Sequence, residues 1–307
     1  MIDMKVGRVM VTGASGLLGS AILRRLQGEA DLLALSHSQP LPGFMAVDLA
    51  SEPDRVRVQA EAWDALVHCA GHRSPDFCET HREEAFTLNA AVPGYLGQMA
   101  RMRGARMIHI STDYVFPGTH PPYKEGDPCR PVNIYGESKL EGEIRVAEAC
   151  PDACILRIGA LYGVPSVRVP SPMLEEGLTA VLAGKPVEQD HGIKRYPLLV
   201  DDVAEVVCFL LCHPEVGGVL HAGSGKAVTR YEWALLIGKI LGCDTRHVKA
   251  AVSDPARRAP RPPDAGLAAG RLRDLGGPVP CDCDKALPDV LARCSDWAAS
   301  HGFSGRK

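Results

Sequence analysis

The stretch RVMVTGASGLLG, residues Arg8 to Gly19, decides the fold of this 307-residue chain. An apolar segment typical of a strand runs into glycines at 13, 16 and 19, and an amphipathic helical segment follows. In this context the first glycine permits a tight turn, the second lets the backbone approach a pyrophosphate, and the third lets the helix pack closely on the strand. The stretch therefore predicts a dinucleotide-binding loop. Its candidate residues are Gly13, Ser15, Gly16, Leu17, Leu18 and Gly19.

Composition and charge exclude several classes of partner. The sequence is 46% hydrophobic and 23% charged, so it can bury one large domain or a large domain with a smaller lobe. A formal net charge of -3 gives no strong attraction to nucleic acid or to an anionic membrane. No apolar run approaches the roughly 18 residues of a membrane span, and the start lacks the apolar core of a signal peptide. We therefore expect a cytoplasmic protein that binds neither nucleic acid nor membrane, and no metal site is expected from its eleven cysteines.

Strand-like apolar runs alternate with helix-like segments through the first half of the chain. This alternation predicts a parallel sheet covered by helices, in an α/β, Rossmann-type doubly wound arrangement. One long helical segment is predicted from about Glu79 to Arg103. The predicted strands are Arg8 to Thr12, Asp31 to Ser36, Ala65 to Cys69, Arg106 to Ser111 and Cys154 to Ile158.

The stretch GVPSVRVPSP after Tyr162 marks where the chain is predicted to leave the sheet, because its prolines forbid a continuous helix or a central strand. An apolar helix over Val203 to Cys212 and a short strand over Gly218 to Ala222 then predict a return to the sheet. We therefore predict a discontinuous dinucleotide-binding domain and a smaller C-terminal substrate-binding lobe. The first comprises residues 1–163 and about 195–225, and the second about 164–194 and 226–307.

The end of the second predicted strand bears on the choice between NADP and NAD. An NAD enzyme normally places Asp or Glu there to bind the ribose 2′-hydroxyl, whereas this chain reads LALSHSQ. Ser36, His37 and Ser38 offer hydrogen bonds without an anion that would repel a 2′-phosphate, so NADP(H) is favoured over NAD(H). Asp48, followed by Leu49, ends the third extended segment, where the acid either caps the adenine pocket or forms a surface turn.

The stretch NIYGESKLEGE, residues 133–143, sets Tyr135 four residues ahead of Lys139, on one helical face about one turn apart. Alone, this pattern fits a solvated surface pair. However, Thr112 follows a predicted strand at the carboxyl edge of the sheet, where ligands bind in such folds. Together with the phosphate loop, these residues favour reduction of a ketone by hydride. Tyr135 would donate the proton, Thr112 would bind the carbonyl oxygen, and Lys139 with the oxidised nicotinamide would lower the pKa of the phenol.

These motifs together resemble the extended short-chain dehydrogenase/reductase superfamily and, within it, the dTDP-4-dehydrorhamnose reductase family. The stretches HCAGHRSPDFCE and RYPLLVDDVAEVV are also similar to the regulatory beta subunit of methionine adenosyltransferase. The likeness covers nearly the whole chain and is carried by VTGASGLLG, VHCAG, ISTDYVFPGT, PVNIYGESKLEGE, ILRIGALYG and RAPRPPDAGL.

The resemblance implies NADPH-dependent reduction of a nucleotide-linked 4-keto-6-deoxy sugar, with Tyr135 as proton donor and Lys139 on the ribose. The alternative is an NADP-binding regulatory subunit that controls a partner enzyme, in which the Tyr-Lys pair only clamps ribose. The oligomeric state is left open, with a homodimer as one candidate. Further cofactor contacts are implied for Cys69, Ala70, Gly71 and Asn89, and substrate contacts for Arg73, Thr112, Asp113, Tyr114, Arg195 and Arg261.

Overall fold

The computed structural model describes residues 7–37, 42–164, 171–252 and 258–294. Its strands are β1 Arg8–Thr12, β2 Asp31–Ser36, β3 Phe44–Ala46, β4 Ala65–His68, β5 Arg106–Thr112, β6 Cys154–Ile158, β7 Leu161–Tyr162, β8 Val187–Asp190, β9 Leu198–Leu199, β10 Gly218–Ala222 and β11 Val248–Ala251. Its helices are α1 Leu17–Leu26, α2 Glu52–Ala60, α3 Pro75–Thr80, α4 Arg82–Phe86, α5 Val92–Arg103, α6 Ile134–Ala149, α7 Pro172–Leu182, α8 Val200–Cys212, α9 Arg230–Leu241, α10 Gly270–Asp274 and α11 Cys283–Arg293.

Seven of these strands form one parallel sheet in the order β10-β6-β5-β4-β1-β2-β3. Strand order reverses at β1, which pairs with β2 on one side and with β4 on the other. In open α/β sheets such a reversal opens a crevice at the carboxyl ends of the strands. The predicted Rossmann-type doubly wound fold is confirmed.

The sheet is buried on both faces, which explains why its strands are almost continuously apolar. Helices α1 and α8 cover one face, where Ile22 and Val203 are fully buried. Helices α5 and α6 cover the other face, where Leu96 and Val146 are fully buried. Each described helix is too short or too polar to cross a membrane.

A second apolar core lies beside the sheet and is built mainly from α7, α9 and α11. Tyr162 and Trp233 meet edge-on at its centre, with ring centroids 5.3 Å apart, and Leu178 packs against them. The two-stranded pair β8 and β11 belongs to this part of the chain. Strand β10, by contrast, lies at the edge of the main sheet beside β6.

The long helix predicted from Glu79 to Arg103 is interrupted. Helix α3 ends at Thr80, α4 runs only to Phe86, and a π-helical turn over Thr87–Ala91 precedes α5. Pro93 lies in the first turn of α5 and has no N–H to give to the carbonyl of Asn89, four residues back. The prediction of one continuous helix was therefore wrong, because the proline favours a wider turn just before it.

A buried ion pair connects α6 to the sheet. Arg157 of β6 donates from Nη2 to Glu143 Oε2 at 2.7 Å and from Nε to Oε1 at 2.9 Å. Ser111 Oγ donates to the same carboxylate, and Arg157 Nη1 lies 3.4 Å from His221 Nε2 of β10. One guanidinium thus joins three neighbouring elements, α6, β6 and β10, through contacts that are closed to water.

We expect Arg157→Met to lower the free energy of unfolding by about 3 to 5 kcal/mol, because it leaves the Glu143 carboxylate buried without its partner. Urea unfolding would measure the loss. The double variant Arg157→Met/Glu143→Leu, in which both buried charges are removed, should recover most of the lost free energy of unfolding.

The matched control is Arg145→Met, which breaks the exposed pair with Glu141 on the same helix, one turn apart. That change should cost no more than about 0.5 kcal/mol. Equal losses in the two arginine variants would show that the buried pair does not hold α6.

Candidate active site

A cavity of about 1180 Å³ lies at the carboxyl edge of the sheet. Its sheet side is formed by residues that follow β1, β2, β4, β5 and β6, and its far side by α7 and α9. Pockets for one small ligand usually measure roughly 300 to 1,000 Å³. The space is therefore sufficient for a dinucleotide together with a second ligand.

The predicted phosphate loop lines this cavity from Gly13 to Gly19, with the exception of Ala14. Gly13 adopts φ +62, and a Cβ there would lie 2.8 Å from the backbone nitrogen of Ala70. A Cβ at Gly19 would overlap the carbonyl oxygen of Gly13. Helix α1 begins without a side-chain cap at Gly16 and without acidic residues in its first turn. Its free N–H groups and dipole favour an anion, so these residues fit a dinucleotide pyrophosphate.

The residues after β2 and β3 lie at one end of the cavity. Ser36, His37, Asp48 and Leu49 all line it, whereas Ser38 lies outside the described residues. Asp48 Oδ1 accepts a hydrogen bond from Ala50 N at 2.9 Å and lies 3.7 Å from His37 Nε2. Asp48 therefore forms a local turn at the border of the cavity, and its contact with an adenine stays a prediction.

The loop after β4 contributes Cys69, Ala70 and Gly71 to the lining. Asn89, which was grouped with them, does not line the cavity. Its side chain is fully buried, accepts from His72 N at 2.8 Å and donates to His72 O at 3.0 Å. Asn89 therefore holds the loop from behind, and the prediction of a direct cofactor contact is corrected.

Tyr135 and Lys139 of α6 both line the cavity, so the pair is not on the outer surface. Lys139 Nζ donates to Ile110 O at 2.7 Å. Burial lowers the pKa of Lys139 to about 8, and the carboxylate of Glu143 opposes this shift. The buried imidazoles of His68 and His109 lie nearby, and burial lowers both their pKa values, so they add no positive charge at neutral pH.

The pKa of Tyr135 differs from the sequence-based expectation. Burial raises it above its usual value of 10, while a side-chain hydrogen bond with Thr112 acts in the opposite direction. Lys139 is not among the groups that most affect this pKa, and its ammonium donates to Ile110 O. The expected lowering by Lys139 together with a bound oxidised nicotinamide stays a prediction. At neutral pH the phenol thus retains its proton, which is the form required of a proton donor.

Thr112 and Asp113 lie beside this phenol and are both buried. Thr112 Oγ1 donates to Asp113 Oδ1 at 3.0 Å and accepts from Tyr114 N at 3.2 Å. Burial raises the pKa of Asp113 to about 6, although the positive charge of Arg195 opposes the shift. The cavity is therefore lined by a buried carboxyl that accepts a hydrogen bond from the threonine.

The remaining predicted substrate residues also line the cavity but differ in their pairing. Arg195 lies with its guanidinium carbon 5.8 Å from the ring centroid of Tyr114. Arg73 is exposed at the mouth. Arg261 donates to Asp76 Oδ2 at 2.9 Å and to Ala259 O at 2.8 Å, so its guanidinium already holds the tail loop against α3.

The far side of the cavity contains residues that the sequence did not indicate. They follow the prolines after Tyr162, far along the chain from the phosphate loop, so only the folded chain brings them there. One signal was available in Gly177, a glycine inside helix α7 where a Cβ would lie 2.8 Å from Trp233 Cδ1. These additional lining residues include Pro172, Met173, Glu176, Gly177, Gln189, Arg230 and Trp233.

The sequence matches the family model described as the RmlD substrate binding domain over residues 7–295. The chain belongs to this family. The predicted resemblance to dTDP-4-dehydrorhamnose reductases is thereby confirmed.

The relatives to which this chain is similar include both adenosyltransferase subunits and reductases. The chain is 35% identical to methionine adenosyltransferase 2 subunit beta of Bos taurus, over 88% of this chain and 82% of the relative. It is 34% identical to a probable dTDP-4,6-dihydroxy-2-methyloxan-3-one 4-ketoreductase of Streptomyces antibioticus, over 93% and 96%. Among solved structures it is similar to a dTDP-4-dehydrorhamnose reductase of Bacillus anthracis in complex with NADP, with a TM-score of 0.81 and 25% identity, covering 93% of this chain and 98% of that one.

We expect Gly19→Ala to weaken NADPH binding by about tenfold or more, since the new Cβ must displace the Gly13 carbonyl and the start of α1, and overpacking typically costs 1 to 3 kcal/mol. Fluorescence titration with NADPH would measure the affinity.

The control is Gly270→Ala, because a Cβ there meets no atom within 4 Å. Parent-like affinity in the Gly19→Ala protein would exclude the close approach of Gly19 to Gly13 as a requirement for dinucleotide binding.

Proposed function

We propose that this protein is an NADPH-dependent reductase of a nucleotide-linked 4-keto-6-deoxy sugar, with Tyr135 as its proton donor. The observation that carries the proposal is the arrangement of Tyr135, Thr112 and Asp113 around one cavity with the glycine loop. A phenol, a hydroxyl and a carboxyl that line one cavity with a dinucleotide loop suit proton transfer coupled to hydride transfer.

The cofactor would extend from the glycine loop to Tyr135 and Lys139. The N-terminus of α1 would bind its pyrophosphate, and the buried ammonium of Lys139 would bind the nicotinamide ribose. NADP is favoured because no acid follows β2 at Ser36 and His37, and the similar Bacillus anthracis structure holds NADP. When bound, the reduced cofactor supplies the hydride.

The protein residues would supply the proton. Tyr135 donates its phenolic proton to the carbonyl oxygen as the hydride reaches the carbonyl carbon, so the ketone becomes an alcohol. Thr112, next to the phenol, orients the carbonyl oxygen. At neutral pH the phenol enters the reaction protonated, as a proton donor must.

The substrate class is proposed from the family and from the size and charge of the cavity. The Streptomyces relative is described as a ketoreductase of a dTDP-linked sugar, and this chain covers 96% of that relative. The cavity continues from Tyr135 to α7 and α9, and Arg195 lines it. Arg230 of α9 also lines it but is paired with Glu176 of α7 at 3.2 Å, so Arg195 supplies the positive charge on which this proposal relies. A nucleotide sugar would occupy this length of the cavity, with its sugar at Tyr135 and its diphosphate near Arg195.

A second candidate is a cofactor-binding regulatory subunit. It is favoured by the 35% identity to methionine adenosyltransferase 2 subunit beta. In that case the same residues would hold the dinucleotide, a partner enzyme would be the target, and no keto sugar would be reduced.

We expect the protein to bind NADPH more tightly than NADH, because a carboxylate at the position of Ser36 would repel the 2′-phosphate and this chain has none there. Fluorescence titrations with both cofactors under one set of conditions would test this. The comparison variant is Ser36→Asp, which should reverse the preference. Tighter binding of NADH by the parent would contradict the proposed cofactor.

We expect Tyr135→Phe to slow reduction of a nucleotide 4-keto sugar by about 100-fold or more while NADPH affinity stays near the parent value. Only the phenolic oxygen is lost, and general-acid catalysis typically contributes 10² to 10⁴ in rate. NADPH oxidation with a panel of nucleotide 4-keto sugars would be followed by absorbance.

Tyr95→Phe serves as the matched control, since it removes a phenolic oxygen that lies outside the cavity near Gln59. Lys139→Ala should weaken NADPH binding as well as turnover. Turnover at the parent rate in Tyr135→Phe would exclude it as the acid, and a parent protein that binds NADPH but reduces no sugar in the panel would favour the regulatory subunit.

A further inference from the structure

Helix α3 holds the tail loop, residues 258–264, through the carboxylate of Asp76. Asp76 Oδ1 accepts from Arg258 N at 3.0 Å and from Ala259 N at 2.8 Å. Asp76 Oδ2 accepts from Arg261 Nη2 at 2.9 Å. One carboxylate thus fixes both the backbone of the tail loop and the side chain of Arg261, although Asp76 itself lies outside the cavity lining.

The guanidinium of Arg261 is held at both of its terminal nitrogens. Nη2 donates to Asp76, and Nη1 donates to Ala259 O at 2.8 Å. A guanidinium has five N–H donors, and these contacts use one donor of each terminal nitrogen. The side chain is 9% exposed and lines the cavity, so the guanidinium keeps donors for a ligand there. Such a planar group matches the oxygens of a phosphate.

The backbone around Arg261 is also restricted. Proline precedes it at 260 and follows it at 262 and 263, which limits the conformations of the tail loop. The loop packs closely on the segment after β5, because a Cβ at Gly118 would lie 2.8 Å from the Pro262 ring. The ion pair with Asp76 therefore acts on an arginine whose main chain is already confined.

The tail loop lies beside the segment that carries Arg195. Lys194 N donates to Pro263 O at 2.9 Å, and Lys194 Nζ lies 3.0 Å from Asp264 Oδ2. Arg195, the next residue, and Arg261 both line the cavity. A diphosphate near Arg195 would therefore lie in the region that Arg261 also lines.

The same loop is joined to the start of α6, close to Tyr135. Asn133, which caps α6, donates from Nδ2 to Pro260 O at 2.8 Å. Glu79 of α3 accepts from Ile134 N at 3.0 Å. Helix α3, the tail loop and the start of α6 therefore hold one another, which fixes the guanidinium relative to the phenol.

We propose that Asp76 is a positioning residue for the nucleotide diphosphate of the substrate. It holds the Arg261 guanidinium in the orientation that receives the diphosphate, so the side chain need not be ordered when the ligand binds. Asp76 does not line the cavity and acts through Arg261. The inference rests on the proposed reductase function, from which the substrate class is taken.

The Asp76 carboxylate also has an opposite effect, since its negative charge offsets that of Arg261. The Asp76 side chain is 38% exposed, so water and salt screen its repulsion of a bound anion. The hydrogen bond to the guanidinium acts at contact distance and depends on direction. We therefore expect the orienting effect to exceed the repulsion.

The test is a calorimetric titration of the full chain, loaded with NADPH, with dTDP. In Asp76→Asn the amide oxygen can still accept from the two backbone N–H groups, but an NH2 group replaces the oxygen that accepts from Arg261. We expect the affinity for dTDP to fall by about threefold to tenfold, the cost of ordering one long side chain on binding. NADPH affinity should stay near the parent value. KM for a nucleotide 4-keto sugar should rise while kcat changes by less than about twofold.

A double-mutant cycle tests whether Asp76 acts through Arg261. Arg261→Ala alone should weaken dTDP binding at least as much as Asp76→Asn does. Adding Asp76→Asn to Arg261→Ala should then cause no further loss of affinity. A merely structural role of Asp76 would lower the affinity in both backgrounds.

The matched control is Asp244→Asn. Asp244 likewise accepts from a backbone N–H, that of Arg246 at 2.9 Å, and from the Arg246 guanidinium at 2.7 Å, but this pair lies on the surface outside the cavity. The affinities for dTDP and NADPH should both stay near the parent values. Asp76→Glu, which keeps a carboxylate for Arg261, should bind dTDP more tightly than Asp76→Asn.

Unchanged or tighter dTDP binding in Asp76→Asn would overturn the proposal, since tighter binding means that the carboxylate only offsets the charge of Arg261. A further loss in the Arg261→Ala background, or a parent that binds no dTDP, would overturn it as well. If Asp76→Asn loses NADPH binding and hence its fold, Arg261→Lys decides. That variant keeps the positive charge but cannot be held at two nitrogens, so parent-like dTDP affinity would contradict the positioning role.

The positioning role and the reductase function fail separately. A parent that binds dTDP in the expected way but reduces no keto sugar contradicts the reductase function and supports the role of Asp76. A parent that reduces a keto sugar, with equal dTDP affinity and KM in Asp76→Asn, contradicts the role of Asp76 alone.

Discussion

The close approach of helix α6 to its neighbours is the constraint on which the site depends. A Cβ at Gly136 would overlap the carbonyl oxygen of Tyr114, and one at Gly142 would overlap the carbonyl oxygen of Asn89. Between these two glycines Lys139 reaches the carbonyl of Ile110, and one turn further Glu143 meets Arg157. The helix is therefore held by its backbone and by buried charge at once, which fixes where its phenol and ammonium lie relative to β5.

Burial in this position shifts each ionisable group toward its neutral form. It lowers the pKa of Lys139 to about 8, raises that of Asp113 to about 6, and raises that of Tyr135. The three shifts have the same cause, since a charged group loses hydration inside the protein. The charged group that opposes the pKa shift differs from site to site. It is Glu143 for Lys139 and Arg195 for Asp113. One cavity is thus lined by a carboxyl, an amine and a phenol whose pKa values are all shifted by burial.

Much of the fold and of the sheet side of the site could be predicted from the sequence, because local patterns carried the information. The strand, glycine loop and helix from Arg8 onward predict the dinucleotide fold, and the spacing of Tyr135 and Lys139 predicts their common face. Asn89 was misassigned because its direction depends on a π-helical turn that no apolar period reveals. Residues of α7 and α9 were missed because they reach the cavity only through long-range packing.

The buried carboxyl beside Thr112 is a feature that a subunit binding only the cofactor would not require. Clamping a dinucleotide requires the glycine loop and a cation such as Lys139, and neither needs a carboxyl inside the protein. Asp113 is nonetheless buried beside Thr112, where its desolvation opposes ionisation. Buried acids with raised pKa values are typical of sites that move protons, although structural networks also contain them. Here the carboxyl accepts a hydrogen bond from Thr112 Oγ1 and lines the same cavity as the phenol of Tyr135, which is the arrangement on which the proposed reductase function rests.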